Sequence, residues 1–233
     1  NLMILCYLCT RKTKIYATKF MTFDKDFKEA IRQLPEAEKD KLIFRLLKHD
    51  LDLANQLLFK LVSGDSCEDR RKKAKKGIER IIGYAQGTMP STYFTPGIML
   101  MAMRDASGII NEHARITKDK YGEAYLHVFL LKEFMKIYND KFMETPAEKS
   151  YTFNIYAVAR AFKIMAMLKK LHEDYLIDFT NDIEEIGTMF SKSPVLMKVA
   201  IHNGLDVNWL INNNIPENIA KIEKDLRKRG YLK

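Results

Sequence analysis

Three short polar segments of the sequence contain residue types that can bind a ligand or transfer a proton. They place histidine, whose side chain titrates near neutral pH, close to carboxylate, arginine or amide side chains. If the fold brings them together, they line one pocket. The eight candidate pocket residues are Arg104, Glu112, His113, His172, Glu173, Asp174, His202 and Asn203.

Each segment also has a structural explanation. His172 follows a long apolar stretch, as expected at a helix end that turns into solvent. Gly204 suits a left-handed helix C-cap, and Asp206 suits the N-cap of a following helix. Arg104 lies in apolar surroundings, where a buried guanidinium needs a carboxylate partner. Four residues are candidates for that partner: Asp105, Glu112, Glu173 and Asp174.

No short catalytic or metal-binding motif is complete in this chain. His49-Asp50 lacks the upstream histidine that the metal-dependent HD-domain phosphohydrolases require. Cys6 and Cys9 form a CxxC pair without the two further ligands of a structural zinc site. The pair Asp182 and Glu185 stands alone, and P-loop, dinucleotide-binding and nucleophile-elbow spacings are absent from the sequence. We therefore predict no metal and no cofactor. If the protein is an enzyme, it belongs to a class without a short sequence motif.

The most basic stretch lies between Arg70 and Arg80, where seven positive residues stand against Glu79. An apolar stripe through Ile78 and Ile82 predicts a helix here. The basic side chains then lie on the opposite, exposed face, which suits a nucleic acid or another polyanion. The candidate polyanion-binding residues are Lys72, Lys73, Lys76 and Arg80.

Helical periodicity extends over almost the whole chain, and no convincing strand pattern occurs. Ser66 and Asp69 form the start of a capping box, and Thr117 is predicted to cap a later helix. The apolar stretch 151–171 contains Arg160 and Lys163, which favours the buried axis of a bundle over a membrane span. We predict an all-α fold, an irregular multi-helix bundle of about nine to eleven helices without a regular repeat.

Glycine and proline concentrate between Gly83 and Gly97, which indicates a break in the chain. We expect an N-terminal helical layer over 21–86 and a main helical bundle over 87–233, with a single domain over 21–233 as the alternative. We expect 1–20 to be an unstructured or artefactual leader, because its basic residues follow its apolar octet instead of preceding it. Three cysteines and no membrane span favour a cytoplasmic location.

Three classes of function fit these features. A net charge of +9 favours binding to an anionic partner. Twelve methionines are typical of an adaptable apolar binding surface. The first hypothesis is a non-enzymatic helical interaction module with an unknown protein partner. The alternatives are nucleic-acid or polyanion binding through the basic helix 70–80, and the enzyme without a short motif.

Two segments, Leu34–Leu42 and His202–Trp209, resemble an uncharacterised all-helical bacterial protein family. The resemblance covers the chain from Met21 onward. It implies an all-helical fold and a bacterial, cytoplasmic setting. It implies no activity and no site residues.

Overall fold

The computed structural model describes residues 23–87 and 94–233, and these residues fold into α-helices without any strand. The predicted all-α class is confirmed, with eleven α-helices in the described ranges. A 3-10 segment, Glu173–Phe179, stands between α7 and α8. The α-helices are α1 (Lys25–Gln33), α2 (Glu36–His49), α3 (Leu51–Leu61), α4 (Cys67–Gly87), α5 (Pro96–Thr117), α6 (Lys120–Lys141), α7 (Ala147–Leu168), α8 (Thr180–Lys192), α9 (Pro194–His202), α10 (Asn208–Ile211) and α11 (Ile219–Lys228).

The chain divides into two compact units, one ending at Leu51 and the other covering Asp52–Lys233. Within the larger unit α4 packs against both α5 and α6. The predicted domain boundary near residue 86 stays a prediction. The predicted leader 1–20 and the CxxC pair of Cys6 and Cys9 lie outside the described residues. None of the described helices combines the length and the hydropathy that a bilayer crossing requires.

The start of α4 confirms the predicted capping box. Ser66 Oγ accepts a hydrogen bond from the Asp69 amide at 3.1 Å, and the Asp69 carboxylate accepts one from the Ser66 amide at 3.0 Å. These bonds satisfy two polar groups at the helix end. Four of the five residues predicted for the stripe behind this cap are buried, namely Ala74, Ile78, Ile82 and Ala85, and Ile81 is partly buried.

The prediction that Thr117 caps the next helix is wrong. Thr117 is the last residue of α5, and its Oγ accepts a hydrogen bond from the Asp119 amide at 3.2 Å. Asp119 is the N-cap of α6, since its carboxylate accepts a bond from the Gly122 amide at 2.8 Å. Lys118 turns the chain between the two helices in the left-handed conformation.

Helix α7 is the buried axis that the apolar stretch predicts. It packs against α5, α6, α9 and α11, and twelve of its residues are buried. Ile164, in its C-terminal half, is 1% exposed. Apolar side chains around the whole circumference are expected of a helix with neighbours on every side.

The C-terminal segment confirms the predicted turn at Gly204, where φ is +75°. The buried Asn203 accepts a hydrogen bond from the Leu232 amide at 2.8 Å through its side-chain oxygen. The chain end is therefore fixed to the end of α9. Trp209 packs against the core, with its ring edge-on to Phe162.

Candidate functional site

The first candidate site is an exposed apolar surface on α1 and α2. No residue between 23 and 51 is buried, although both helices carry large apolar side chains. Six of these side chains are between 37% and 63% exposed, and we call them the α1–α2 apolar face: Phe23, Phe27, Ile31, Ile43, Phe44 and Leu46.

Local interactions stabilise these two helices. Asp24 caps α1 by accepting a hydrogen bond from the Phe27 amide at 2.7 Å. The rings of Phe23 and Phe27 stack one turn apart, with centroids separated by 5.1 Å. Lys39 of α2 donates a hydrogen bond to the carbonyl of Arg32 at 2.8 Å. Helices of this length are marginally stable in water when no apolar face is buried, so that the unit gains stability if its apolar face is covered.

The basic residues of α4 form the second candidate site. Lys72, Lys73, Lys76 and Arg80 are exposed, as predicted. Lys72 pairs with Glu68 at 2.8 Å and Lys73 pairs with Asp65 at 2.6 Å. Lys76 and Arg80 form no ion pair within the described residues. Half of the predicted polyanion surface is thus neutralised by its own neighbours.

The eight predicted pocket residues do not form one cluster. Within the described ranges, the single side-chain contact between any two of them joins His172 to Asp174 at 3.1 Å, and both of these side chains are exposed. The others face different surroundings. Glu112 lines a groove of about 340 Å³ beside Arg70, His113 contacts Asp119, His202 contacts the ring of Tyr231, and Asn203 binds Leu232. Glu173 is exposed at the start of the 3-10 segment.

The expectation that Arg104 is buried against a carboxylate is wrong. Arg104 is exposed and lies over the ring of Tyr156, 5.6 Å from its centroid. Its position on α5 faces outward, because the buried stripe of that helix passes through Met103 and Ala106 on either side. Among residues 23–87 and 94–233 the buried arginine is Arg160, which is 7% exposed.

Arg160 is the centre of a polar cluster between α5, α6 and α7, which we call the Arg160 cluster. Nη2 of Arg160 donates a hydrogen bond to Ser107 Oγ at 2.7 Å and another to the Tyr156 hydroxyl. Nη1 lies 2.8 Å from His127 Nδ1. On the other side of the His127 ring, Nε2 lies 2.9 Å from Lys163 Nζ. Tyr156, Arg160 and Lys163 reach the cluster from one face of α7, since they are four and three residues apart.

The cluster contains two cationic residue types and no carboxylate. Among the described residues neither Arg160 nor Lys163 forms an ion pair. Burial, followed by the charges of Arg160 and Lys163, lowers the pKa of His127 to about 2. Burial lowers the pKa of Arg160, and burial together with Arg160 lowers the pKa of Lys163. A buried charge is costly without an ionic partner, which makes this cluster unusual for a structural core.

The sequence predicts Arg160 and Lys163 only as interruptions of an apolar helix, not as site residues. The signal that could identify them is their spacing. Tyr156, Arg160 and Lys163 share one face in the otherwise apolar stretch from Ile155 to Leu168. Such a stripe inside a buried helix must face polar partners on neighbouring helices.

Fold and sites together define an irregular all-α protein with exposed apolar side chains on α1 and α2 and a buried cationic cluster. Among residues 23–87 and 94–233, no three His, Cys, Asp or Glu side chains are grouped as metal ligands. No protein family, curated protein or solved structure matches the chain significantly. The functional argument therefore depends on the residues of this chain.

Proposed function

We propose that the protein is a helical interaction module that associates through its α1–α2 apolar face, and that the partner is a second copy of the same chain. One observation carries the proposal: six large apolar side chains are exposed on two helices that bury no side chain. Phe27 and Ile31 lie on one face of α1 at four-residue spacing, and the ring of Phe23 stacks on that of Phe27. An exposed apolar patch of this kind marks interaction sites in soluble proteins.

The size of the face fits a protein interface. Phenylalanine side chains bury on the order of 150–250 Å² each when fully covered, so that the three half-exposed phenylalanines offer roughly 300 Å². A standard interface buries about 800 Å² on each partner. The three phenylalanines supply a large part of that area, and neighbouring residues of both helices supply the rest.

The charge of this segment favours a like partner over a polyanion. Residues 23–50 contain seven Lys or Arg and seven Asp or Glu residues, so two copies do not repel each other. Residues 52–233 carry 28 basic and 23 acidic residues, which locates the positive charge of the described chain outside the apolar face. Most homo-oligomers are closed dimers in which the same patch of both subunits meets.

The proposal includes a cytoplasmic setting, because the exposed Cys67 is a free thiol and a reducing compartment preserves it. It assigns no catalytic role to the protein.

Sedimentation velocity of the full chain tests the proposal. We expect a dimer at about 10 μM protein, and a monomer for the double variant Phe27→Asp with Phe44→Asp, since two charges on each face oppose association. The matched control is Gln33→Asp with Ala37→Asp, which adds the same charges at exposed polar or small positions of the same helices. A wild-type protein that stays monomeric at about 100 μM contradicts the second copy as partner. A dimer that the Phe27 and Phe44 variant leaves intact contradicts the apolar face as its interface.

A further inference from the structure

His127 lies between two side chains that normally carry positive charge. Its ring is fully buried, with Arg160 Nη1 at 2.8 Å from Nδ1 and Lys163 Nζ at 2.9 Å from Nε2. Both contacts have hydrogen-bond length. Each ring nitrogen therefore has one partner, and the protons must be distributed so that each contact has one donor and one acceptor.

Only one distribution satisfies both contacts. A neutral imidazole has one acceptor and one donor nitrogen, whereas an imidazolium has two donors and would face two cations. The guanidinium of Arg160 can only donate, so Nδ1 accepts and Nε2 carries the hydrogen. The Nε2 hydrogen then points at Lys163 Nζ, and an ammonium group has no lone pair to accept it. Lys163 accepts this hydrogen bond only as an unprotonated amine.

Burial and the charge of Arg160 also favour the unprotonated form of Lys163. Burial of the side chain comes first among the effects that lower the pKa of Lys163, and the neighbouring charge of Arg160 comes next. Glu123 of α6 and Glu223 of α11 face Lys163 and oppose this, but neither forms an ion pair with it. The side chain is half-buried and retains access to solvent.

We propose that His127 and Arg160 hold Lys163 as a neutral, nucleophilic amine that condenses with small carbonyl compounds bearing a carboxylate. The carboxylate preference follows from Arg160, which lies across the His127 ring from Lys163 and has no ionic partner among the described residues. A desolvated lysine beside another cation is a recognised way to make an amine nucleophilic at neutral pH. This proposal is independent of the association through α1 and α2.

The chemical step is imine formation. Nζ first gives up the hydrogen bond from His127 Nε2, which frees its lone pair. The lone pair then forms a bond to the carbonyl carbon, and the carbonyl π electrons move to its oxygen. A proton passes from nitrogen to that oxygen to give a carbinolamine. Loss of the hydroxyl with one further proton, as water, leaves a carbon–nitrogen double bond. The amine and the carbonyl compound thus give the imine and one water, and no oxidant or reductant takes part.

Reductive labelling of the full chain tests the proposal. Glyoxylate is the probe, added cyanoborohydride traps the imine, and peptide mass spectrometry measures the labelling rate of each lysine between pH 6 and 10. The internal control is Lys170, an exposed lysine two turns further along the chain. An ordinary lysine has a pKa of about 10.4, so at pH 7 we expect Lys163 to be labelled at least roughly tenfold faster than Lys170, with its rate reaching a plateau at lower pH.

Two comparisons make the test specific. Propionaldehyde, an uncharged aldehyde, should label Lys163 several-fold more slowly than glyoxylate relative to Lys170. In Arg160→Met the obligatory donor at Nδ1 is lost, His127 takes the other tautomer, and the labelling of Lys163 at pH 7 should fall to the level of Lys170. The wild-type pH profile decides the proposal even if Arg160→Met fails to fold.

Three results would overturn it. Lys163 that remains unlabelled at every pH is not an accessible nucleophile, and Lys163 whose rate rises in parallel with that of Lys170 is an ordinary ammonium group. If glyoxylate and propionaldehyde label Lys163 at equal rates relative to Lys170, the site does not recognise a carboxylate.

Discussion

The guanidinium of Arg71 lies 2.6 Å from the carboxylate of Asp119, and this ion pair joins α4 to the first turn of α6. The same carboxylate caps α6 through the Gly122 amide and lies 3.4 Å from the buried His113. Arg71 also stacks over the ring of Tyr121. Burial by itself raises the pKa of Asp119, but the Gly122 amide and Arg71 outweigh it and hold the pKa below its ordinary value. One carboxylate thus serves as helix cap and as ion-pair partner.

Replacing Asp119 by alanine should lower the free energy of unfolding by about 2–4 kcal/mol, because it removes an N-cap and the partner of a largely buried guanidinium. Urea denaturation measures the change. The control is Asp65→Ala, which removes the exposed pair with Lys73 and should cost less than about 1 kcal/mol. Equal losses in the two variants would contradict the bridging role of Asp119.

The buried His127 should make the protein sensitive to mild acid. Its pKa is about 2 in the folded chain against 6.5 in an unfolded one, so the unfolded state binds more protons between these values. Stability therefore rises with pH in this range and falls as the pH drops below about 6.5, by up to about 1.4 kcal/mol per pH unit. Denaturation between pH 6.5 and 5 measures this slope, above the range in which carboxylates titrate.

The matched variants separate this effect from general acid sensitivity. His127→Gln keeps an amide that can accept from Arg160 but does not titrate, so the slope should decrease by about 1.4 kcal/mol per pH unit. His172→Gln changes an exposed histidine and should leave the slope unchanged. A His127→Gln protein with the wild-type slope would show that the folded state protonates His127 as readily as the unfolded state does.

Replacing Ile164 by aspartate should unfold the protein or make it insoluble. Ile164 is 1% exposed in the C-terminal half of α7, where an unpaired charge costs several kcal/mol against a typical total stability of about 5–15 kcal/mol. Circular dichroism and thermal melting measure the outcome. Tyr151→Asp, at an exposed position of the same helix, should melt close to the wild type. A soluble Ile164→Asp protein with normal melting would contradict the role of α7 as the buried axis.

Reversing Lys72, Lys73 and Lys76 to glutamate should leave the fold intact, because all three side chains are exposed. We expect the wild type to bind duplex DNA only weakly at about 150 mM salt, since Glu68 and Asp65 already pair with two of these lysines. Fluorescence anisotropy across a salt series measures the binding. Submicromolar affinity that the triple variant abolishes would show that α4 is a nucleic-acid interface.

The helices of this protein were predictable because their determinants are local. Apolar spacing identified the stripe through Ile78, and the Ser66–Asp69 capping box depends on residues three apart. The N-cap of α6 was not predictable, because Thr117 and Asp119 are both good N-cap residues. The left-handed turn at Lys118 decides between them.

The site residues were less predictable because burial depends on contacts distant in sequence. Arg104 and Arg160 both lie among apolar residues, and only the packing of α5 on α7 leaves the first exposed and the second buried. The partners of Arg160 are 33 and 53 residues away, at His127 and Ser107. Similarly, the spacing on α1 predicts an apolar stripe but does not tell whether that stripe packs inside the chain.

The central claim is that the α1–α2 apolar face is covered by a second copy of the chain, and amide hydrogen exchange measured as a function of protein concentration tests it most directly. Association should protect the amides of Lys25–His49 increasingly as the concentration rises from about 1 to 100 μM, while the amides of α7, protected by the core, stay constant. Exchange in α1 and α2 that is fast and independent of concentration over this range would contradict the claim.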